Sequence, residues 1–483
     1  MTDWSSALDA RRRAFDLARA ADERVDVLVV GGGITGTGVA LDAASRGLSV
    51  TLIEAEDLAF GTSRFSSKLV HGGLRYLATG DVATAKESAR ERHLLMTTIA
   101  PHLIHPLGQL LPFSRGVTLR QRTAGAMGMA VGDLLRVRAH TPRSVLPAPR
   151  LVSARAAVRL APALAASGLR GGMLSYDGQL VDDARLVVTV ARTAAAHGAR
   201  ILTRVRAIGL RGDGATVEDA RTGERLEIQA RAVINATGVW AGSLDEAIRV
   251  RPSRGTHIVL DADDLGGPSA ALTVPHEGSI SRYVFALPQT HGRVIVGLTD
   301  EDAPGAVPRV AQATDAEIDF LLANLNRVVA TPVRRDQVRG AFAGLRPLVD
   351  SAADAPSDVS RRHLVTTSDA GFVTVLGGKL TTYRRMAEDA VDVAVHARSL
   401  EATASRTASL RLVDRVAPPA EDVLDDRTGL SRTEVEYAVR VEGAMTAADV
   451  LDRRTRIGLA DTDRERCRPA VEELVARTLS ELV

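Results

Sequence analysis

A glycine-rich segment near the N-terminus places the strongest constraint on the fold. Residues 25–57 read VDVLVVGGGITGTGVALDAASRGLSVTLIEAED, a β-branched run followed at once by Gly31, Gly33 and Gly36 in G-x-G-x-x-G spacing. The run predicts a buried parallel strand, the glycines predict a tight turn, and the residues after them predict a helix. A second predicted strand ends at Glu54, where an acid can bind ribose hydroxyls. This order predicts a dinucleotide-binding unit, although it does not by itself distinguish FAD from NAD.

Length and charge limit the class of protein. The 483 residues exceed one ordinary core, so we expect two or three domains. The net charge of +2 argues against a general nucleic-acid-binding surface. A single cysteine, Cys467, excludes an internal disulfide and fits a reducing compartment. Residues 1–24 lack the apolar core of a secretory signal and predict a charged helix. We therefore expect a cytoplasmic protein, or one on the inner face of a membrane.

Two later segments have the composition of ligand-binding loops. Residues 61–77, GTSRFSSKLVHGGLRYL, are rich in groups that donate to phosphates or a flavin ring, although a solvated polar loop has the same composition. Residues 371–400 predict a strand, a Gly-Gly turn and a helix, and such a turn can bind an anion. Residues 230–244 predict a second apolar strand that ends in Thr-Gly beside a cofactor.

The remaining segments predict a second sheet and a helical tail. Short strands alternate between residues 251 and 345, which predicts an antiparallel sheet domain inserted into the nucleotide-binding one. Residues 115–150 carry seven arginines and a single acid, Asp133, with apolar residues between them. This segment predicts either an amphipathic helix on a membrane surface or an ordinary helix with a solvated charged face. Beyond residue 401 we expect helices and no cofactor motif.

Several of these motifs together resemble one family. The segments HGGLRYL, INATGVWA, GTHIV, FAGLRPL, GGKLTTYR and DVLDRRTRIGL are similar to those of the FAD-dependent glycerol-3-phosphate dehydrogenases, flavoproteins that pass electrons to membrane quinone. The resemblance runs from about residue 25 to the C-terminus. It implies an α/β fold, in which a Rossmann-like FAD-binding domain of the glutathione-reductase type carries an inserted antiparallel substrate domain and a C-terminal α-helical domain.

The resemblance also implies domain boundaries. After the N-terminal helical extension, we expect a discontinuous FAD-binding domain over 25–110, 171–250 and 340–400. The substrate domain is expected over 111–170 and 251–339. The C-terminal helical domain is expected over 401–483.

The implied reaction moves a hydride from C2 of sn-glycerol 3-phosphate to N5 of FAD and yields dihydroxyacetone phosphate. Arginine binds phosphate in a bidentate fork, which fits Arg75 and Arg361 as substrate-binding residues beside Tyr76. Oxidation of the alcohol also requires loss of the hydroxyl proton. The candidate catalytic residues are His257, whose imidazole ordinarily titrates near working pH, Arg346 and Lys379. Which of these three accepts the proton stays open.

The expected FAD-binding residues follow the same motifs. They are Gly31, Gly33, Gly36, Glu54, Thr62, Ser63, Ser67, Lys68, His71, Gly72, Gly73, Val205, Ala236, Thr237, Gly238, Gly378, Lys379, Leu380 and Thr381.

The implied partners are glycerol 3-phosphate, a membrane quinone, an anionic membrane surface and a second copy of the chain. We expect no nucleic acid and no metal ion. Three alternatives stay open. The first is an oxidase that passes electrons from the same substrate to O₂. The second is a related flavoprotein acting on an amino acid or a 2-hydroxy acid. The third is a non-catalytic or nucleic-acid-binding flavoprotein that uses the arginines of 115–150.

Overall fold

Two large β-sheets, one small two-stranded sheet and a C-terminal group of helices are the main parts of the described residues. The computed structural model describes residues 4–73, 81–349, 363–415, 420 and 422–482. The strands of these residues are β1 (Val25–Val30), β2 (Val50–Glu54), β3 (Leu69–Val70), β4 (Ile104–Pro112), β5 (Arg150–Val152), β6 (Gly172–Leu180), β7 (Arg200–Thr203), β8 (Val205–Arg211), β9 (Gly214–Asp219), β10 (Arg225–Asn235), β11 (Val250–Asp261), β12 (Ala271–Pro275), β13 (Tyr283–Gln289), β14 (Arg293–Gly297), β15 (Glu301–Asp302), β16 (Gly340–Val349), β17 (His363–Thr367), β18 (Val373–Gly377), β19 (Val423–Asp425) and β20 (Leu430–Ser431).

The α-helices of the described residues are α1 (Ala10–Asp22), α2 (Ile34–Ser45), α3 (Val82–Leu94), α4 (Leu119–Arg138), α5 (Ala154–Leu160), α6 (Asp183–Ala196), α7 (Asp315–Asn326), α8 (Tyr383–Arg398), α9 (Arg432–Arg440), α10 (Ala447–Arg453) and α11 (Asp461–Ser480).

The first sheet contains the predicted nucleotide-binding unit. Its central order is β17-β18-β10-β1-β2-β7, and β1 pairs in parallel with both β2 and β10. The β-branched residues of β1 are buried because helices cover this part of the sheet. Helix α2 contacts both α6 and α8. Gly38 allows the approach to α8, since a Cβ there would lie 2.8 Å from the Tyr383 ring. The predicted order of strand, glycine turn, helix and strand is confirmed.

The glycine turn has a local steric cause. Gly31 has a φ of +114°, a conformation that L side chains rarely adopt. Gly36 lies in the first turn of α2, where a Cβ would collide with the backbone oxygen of Gly31. These two glycines therefore allow the helix to begin directly against the end of β1.

The second sheet is mainly antiparallel, with the order β15-β11-β14-β13-β12-β4-β6-β3; β16 pairs with β11, and β5 pairs with β6. Its strands β3, β4 and β6 come from chain segments that the predicted boundaries assign to the FAD-binding domain. Their pairing places these strands in the second sheet, because β4 pairs with β6 along nine residue pairs and also with β12. The boundaries themselves remain a prediction.

The C-terminal segment is helical only in its second half. Residues 401–415 contain no helix, and the first helix there begins at Arg432. The expectation of helices directly after residue 401 was therefore wrong for residues 401–415, which form coil and a turn. Helices α9, α10 and α11 then pack around a core of their own that includes Val450 and Val471.

The N-terminal extension forms the predicted charged helix. Asp9 caps α1 by accepting a hydrogen bond from the backbone of Arg12. The buried Arg13 side chain pairs with Asp219 at 2.8 Å. This ion pair joins α1 to the end of strand β9. Within the described ranges, no helix is both long and apolar enough to cross a membrane.

Candidate functional site

A cavity of about 900 Å³ takes its walls from both sheets. A volume of this size is typical of a cofactor or ligand site. The cavity brings together most of the site residues predicted from the sequence. Those that line it are Gly31, Gly33, Glu54, Thr62, Ser63, Ser67, His71, Val205, Ala236, Thr237, Gly238, His257, Arg346, Gly378, Lys379, Leu380 and Thr381.

Glu54 lies at the end of β2 and faces the glycine turn. Its Oε2 accepts a hydrogen bond from Gly32 N at 2.6 Å, and its Oε1 accepts one from Glu56 N at 2.8 Å. Burial raises the pKa of the Glu54 carboxyl to about 7, despite these two hydrogen bonds. An acid fixed in this way beside a turn of small residues is suited to bind ribose hydroxyls.

The residues near this turn leave room for a dinucleotide. Ser63 Oγ accepts a hydrogen bond from Ile34 N at 2.9 Å, which holds the loop after Glu54 against the start of α2. At Gly238, which follows the strand β10 beside β1, φ is +60° and an added Cβ would meet no atom within 4 Å. Small residues therefore border open space close to Glu54, as the binding of a dinucleotide such as FAD requires.

His257 is buried in the wall formed by β11. Its Nε2 lies 2.9 Å from Ser67 Oγ, and its ring stacks on Phe342 with 4.9 Å between centroids. Burial, together with the nearby positive charges of Lys68 and Arg346, lowers the pKa of His257 to about 3. The expectation that this imidazole titrates near working pH was therefore wrong. Its Nδ1 has no hydrogen-bond partner among the described residues.

Two cations reach the same cavity from different elements. Arg346 comes from β16, and its Nη1 lies 3.0 Å from Asp300 Oδ1. Lys379 follows the predicted Gly-Gly turn, where Gly378 has a φ of +66°, and its Nζ donates to Ser88 Oγ. The turn leads into α8, as the sequence predicts.

Several predicted cofactor residues do not line the cavity. Lys68 is buried and pairs with Asp183 at 3.0 Å, and burial lowers its pKa. Gly36 packs α2 on the turn, while Gly72 and Gly73 face Arg92 and Ser88. Direct contact of any of these four residues with FAD stays a prediction. Arg75, Tyr76 and Arg361 lie outside the described residues.

Other cavity residues were missed from the sequence. Asp300 follows β14 in the segment GLTDED, and an acid just beyond a strand was the available signal. Phe342 gives no signal because its contact with His257 depends on the pairing of β11 with β16. Helix α4 contributes Ala124, Gly125, Gly128 and Met129. In the ranges that the structure describes, no cluster of His, Cys, Asp or Glu could hold a metal ion.

The chain is similar in sequence to curated glycerol-3-phosphate dehydrogenases. The chain is 48% identical to glycerol-3-phosphate dehydrogenase 1 of Mycobacterium tuberculosis, covering 98% of this chain and 99% of the relative. It is also 37% identical to a mitochondrial glycerol-3-phosphate dehydrogenase of Arabidopsis thaliana, over 80% of this chain and 63% of the relative.

Solved structures and family models point the same way. The glycerol-3-phosphate dehydrogenase of Bacillus halodurans, complexed with FAD, matches with a TM-score of 0.73 and 25% identity over 98% of this chain and 97% of that one. Residues 26–384 match the model for FAD dependent oxidoreductases. Residues 380–481 match the model for the C-terminal domain of alpha-glycerophosphate oxidase. The chain therefore belongs to the FAD-dependent oxidoreductase family, in the group that includes the glycerol-3-phosphate dehydrogenases, and FAD is its cofactor.

Proposed function

We propose that the protein oxidises sn-glycerol 3-phosphate to dihydroxyacetone phosphate. The observation that carries the proposal is full-length similarity to glycerol-3-phosphate dehydrogenases, in a chain whose cavity unites His257, Arg346 and Lys379. FAD held there by the glycine turn, Glu54 and the Gly378 turn would supply a hydride acceptor for C2 of the alcohol.

We assign to His257 the role of accepting the hydroxyl proton of the substrate. Because the pKa of its imidazole is lowered, His257 is neutral at working pH and can therefore accept a proton. A bound phosphate monoester carries nearly two negative charges, which would raise the pKa of this imidazole and make it a stronger base. Ser67, whose hydroxyl lies 2.9 Å from Nε2, also lines the cavity and would connect the imidazole with the substrate.

Phosphate binding is assigned to Arg75 and Arg361, with Tyr76 beside them. These assignments rest on the family motifs. Lys379 adds a further positive charge within the cavity. A dianion needs several such donors, because taking it out of water is costly unless each oxygen is hydrogen-bonded.

Electrons are proposed to pass to a membrane quinone at the inner face of the cell membrane. One face of α4 exposes five apolar side chains, Leu119, Met127, Val131, Leu134 and Val137. Arg120 and Arg138 of the same helix are also exposed, as is Arg143 a few residues after its end. Such a helix favours attachment to an anionic membrane. The opposite face lines the cavity, so the same helix separates the reaction site from the proposed membrane contact. A homodimer remains a proposal from the family resemblance.

An oxidase that uses O₂ is the second candidate. The match of the C-terminal segment to the alpha-glycerophosphate oxidase model favours it. The L-alpha-glycerophosphate oxidase of Mycoplasma pneumoniae shares the fold, with a TM-score of 0.59 at 18% identity. One peroxide formed per substrate oxidised in air would establish the oxidase, whereas reduction of a quinone analogue without peroxide would establish the dehydrogenase.

The proposed function is tested with the purified protein carrying FAD. Anaerobic glycerol 3-phosphate should bleach the flavin absorption and yield dihydroxyacetone phosphate. Unphosphorylated glycerol serves as the control and should bleach it very poorly. Equal reduction by the two alcohols would contradict the assignment of a phosphate-binding site.

A further inference from the structure

Arg346 is held in place by a set of acceptors. On β16 it lies opposite Ser253 of β11. Its Nη1 donates to Ser253 Oγ at 3.1 Å and to Asp300 Oδ1 at 3.0 Å, and its Nη2 donates to Thr299 O at 3.2 Å. The Ser253 hydroxyl also donates to Asp300 Oδ1 at 2.7 Å. Three acceptors on two chain segments thus fix the plane of the guanidinium group.

Gly255 provides the space for this group. A Cβ at this position would lie 2.8 Å from Arg346 Cζ, closer than real Cβ contacts. Gly255 and His257 are alternate residues of one strand, so they face the same side of the sheet. The guanidinium, lying over Gly255, is therefore held on the same side of β11 as the imidazole, and both groups line the cavity.

The charge of Asp300 limits what Arg346 can bind. The Asp300 side chain is 11% exposed and lies against the guanidinium, so it offsets much of the arginine charge. A phosphate dianion placed there would also be repelled by the carboxylate. An alcohol oxygen is neutral in the ground state and gains negative charge only as its proton leaves, which suits a fixed donor with a balanced charge.

We propose that Asp300 is a positioning residue that holds Arg346 at the alcohol end of the substrate, away from the phosphate. This inference rests on the proposed function, because it assigns the two ends of glycerol 3-phosphate within the same cavity. A group that acts only as the alcohol reacts contributes to the limiting rate, with little effect on substrate binding.

The test measures anaerobic flavin reduction at several concentrations of glycerol 3-phosphate, which separates the limiting rate from the Kd. Asp300→Ala should lower the limiting rate about 10- to 100-fold, as expected for a misplaced donor, and should change the Kd less than about threefold. Asp300→Asn keeps an acceptor oxygen and should recover part of the rate. Asp302→Ala is the matched control, because Asp302 is two residues away and is exposed, where it pairs with Arg251. It should behave as the wild type.

Two further measurements separate positioning from a structural role. Because Asp300 is proposed to act through Arg346, adding Asp300→Ala to the Arg346→Lys variant should lower the limiting rate of flavin reduction less than about threefold. Two results would overturn the proposal. One is a loss of about 10- to 100-fold in the limiting rate when Asp300→Ala is added to Arg346→Lys. The other is a limiting rate within twofold of the wild type for Asp300→Ala alone. If Asp300→Ala does not fold, Asp300→Asn replaces it, with a rate about 3- to 10-fold below the wild type expected and a wild-type rate contradicting the proposal.

A crystal structure of the FAD-loaded Asp300→Ala protein decides the point without catalysis. The guanidinium should leave its place over Gly255, and an unmoved guanidinium would overturn the proposal. If glycerol 3-phosphate does not reduce the wild-type flavin, the proposed function fails, whereas this structure still tests whether Asp300 positions Arg346.

Discussion

At the scale of single residues, the ionisation of Glu54 should govern how FAD binds. Its carboxyl has a pKa of about 7 because it is buried. Ribose hydroxyls donate to the ionised form, so FAD binding should release a proton from the protonated fraction and the affinity should rise as the pH rises through 7. Fluorescence titration of apoprotein with FAD at pH 6 and pH 8 measures this.

The Glu54→Gln variant is the control for that titration. It cannot ionise and should bind FAD about 10- to 100-fold more weakly at pH 8, because hydrogen bonds to a charged group are lost. Its affinity should be nearly the same at both pH values. A wild-type affinity that does not change between pH 6 and pH 8 would contradict the role of this carboxyl.

His257 should contribute to the rate of flavin reduction, but its own ionisation should not make that rate depend on pH near neutrality. His257→Asn should slow anaerobic flavin reduction about 10²- to 10⁴-fold while FAD stays bound. The ratio of wild-type to variant kcat/KM should be equal at pH 6 and pH 8, because the pKa of the His257 side chain, about 3, lies well below both pH values. His291→Asn is the control, since His291 bonds to a carbonyl outside the cavity. A loss below tenfold, or a ratio that changes through pH 7, would contradict the assignment.

The sequence predicted residues whose roles depend on local spacing. Gly31, Gly36 and Glu54 belong to one short βαβ unit, and their spacing determines their geometry. The burial of His257 could not be predicted, because strands distant in sequence create it. Lys68 was expected at the cofactor, but its partner Asp183 is 115 positions away. Its pairing depends on how α6 packs against the polar loop.

At the scale of elements, local patterns predicted most strands and helices but not which strands pair. Strands β4 and β6 flank a long insertion and pair with each other, and β4 joins them to the second sheet by pairing with β12, far along the chain. Non-local pairing of this kind leaves no local sequence signal. The exposed face of α4 was one of two open interpretations, because an arginine-rich sequence does not reveal which apolar residues are buried.

Helix α4 gives the prediction for membrane attachment. Changing Met127, Val131 and Leu134 together to Gln should weaken binding to anionic vesicles at least tenfold, because each apolar side chain entering the interface contributes about 1.5–3 kcal/mol. Vesicle co-sedimentation measures this, and high salt should release the wild type. Leu151→Gln, an exposed position on β5, is the control. Equal binding of all three proteins, or no wild-type binding, would contradict membrane contact by α4.

At the scale of the whole molecule, buried ion pairs join the C-terminal helices to the cofactor domain. Asp57, three residues after Glu54, accepts from Arg454 at 2.9 Å and from Arg453 at 2.6 Å, and all three side chains are buried. Burial alone would raise the pKa of Asp57, but the two arginines together hold it below its ordinary value. Its stabilising contribution is therefore present above about pH 4 and lost as the pH falls.

Arg454→Met should destabilise the protein and loosen its cofactor. Removing one partner of a buried ion pair costs about 3–5 kcal/mol, which should lower the urea midpoint and speed FAD loss during dialysis. Arg19→Met removes an ion pair with Glu23 in which both side chains are exposed, and it should lower the urea midpoint much less. Equal midpoints for the two variants would contradict the joining role of the Asp57 pairs.

Oxidation of glycerol 3-phosphate by the FAD-loaded protein is the activity that we propose. The most direct test is a stopped-flow anaerobic reaction of the FAD-loaded protein with that substrate, followed by flavin absorbance and analysis of the product. We predict full bleaching, one dihydroxyacetone phosphate per flavin, and very slow bleaching by glycerol at the same concentration. A flavin that stays oxidised with saturating glycerol 3-phosphate would contradict the claim.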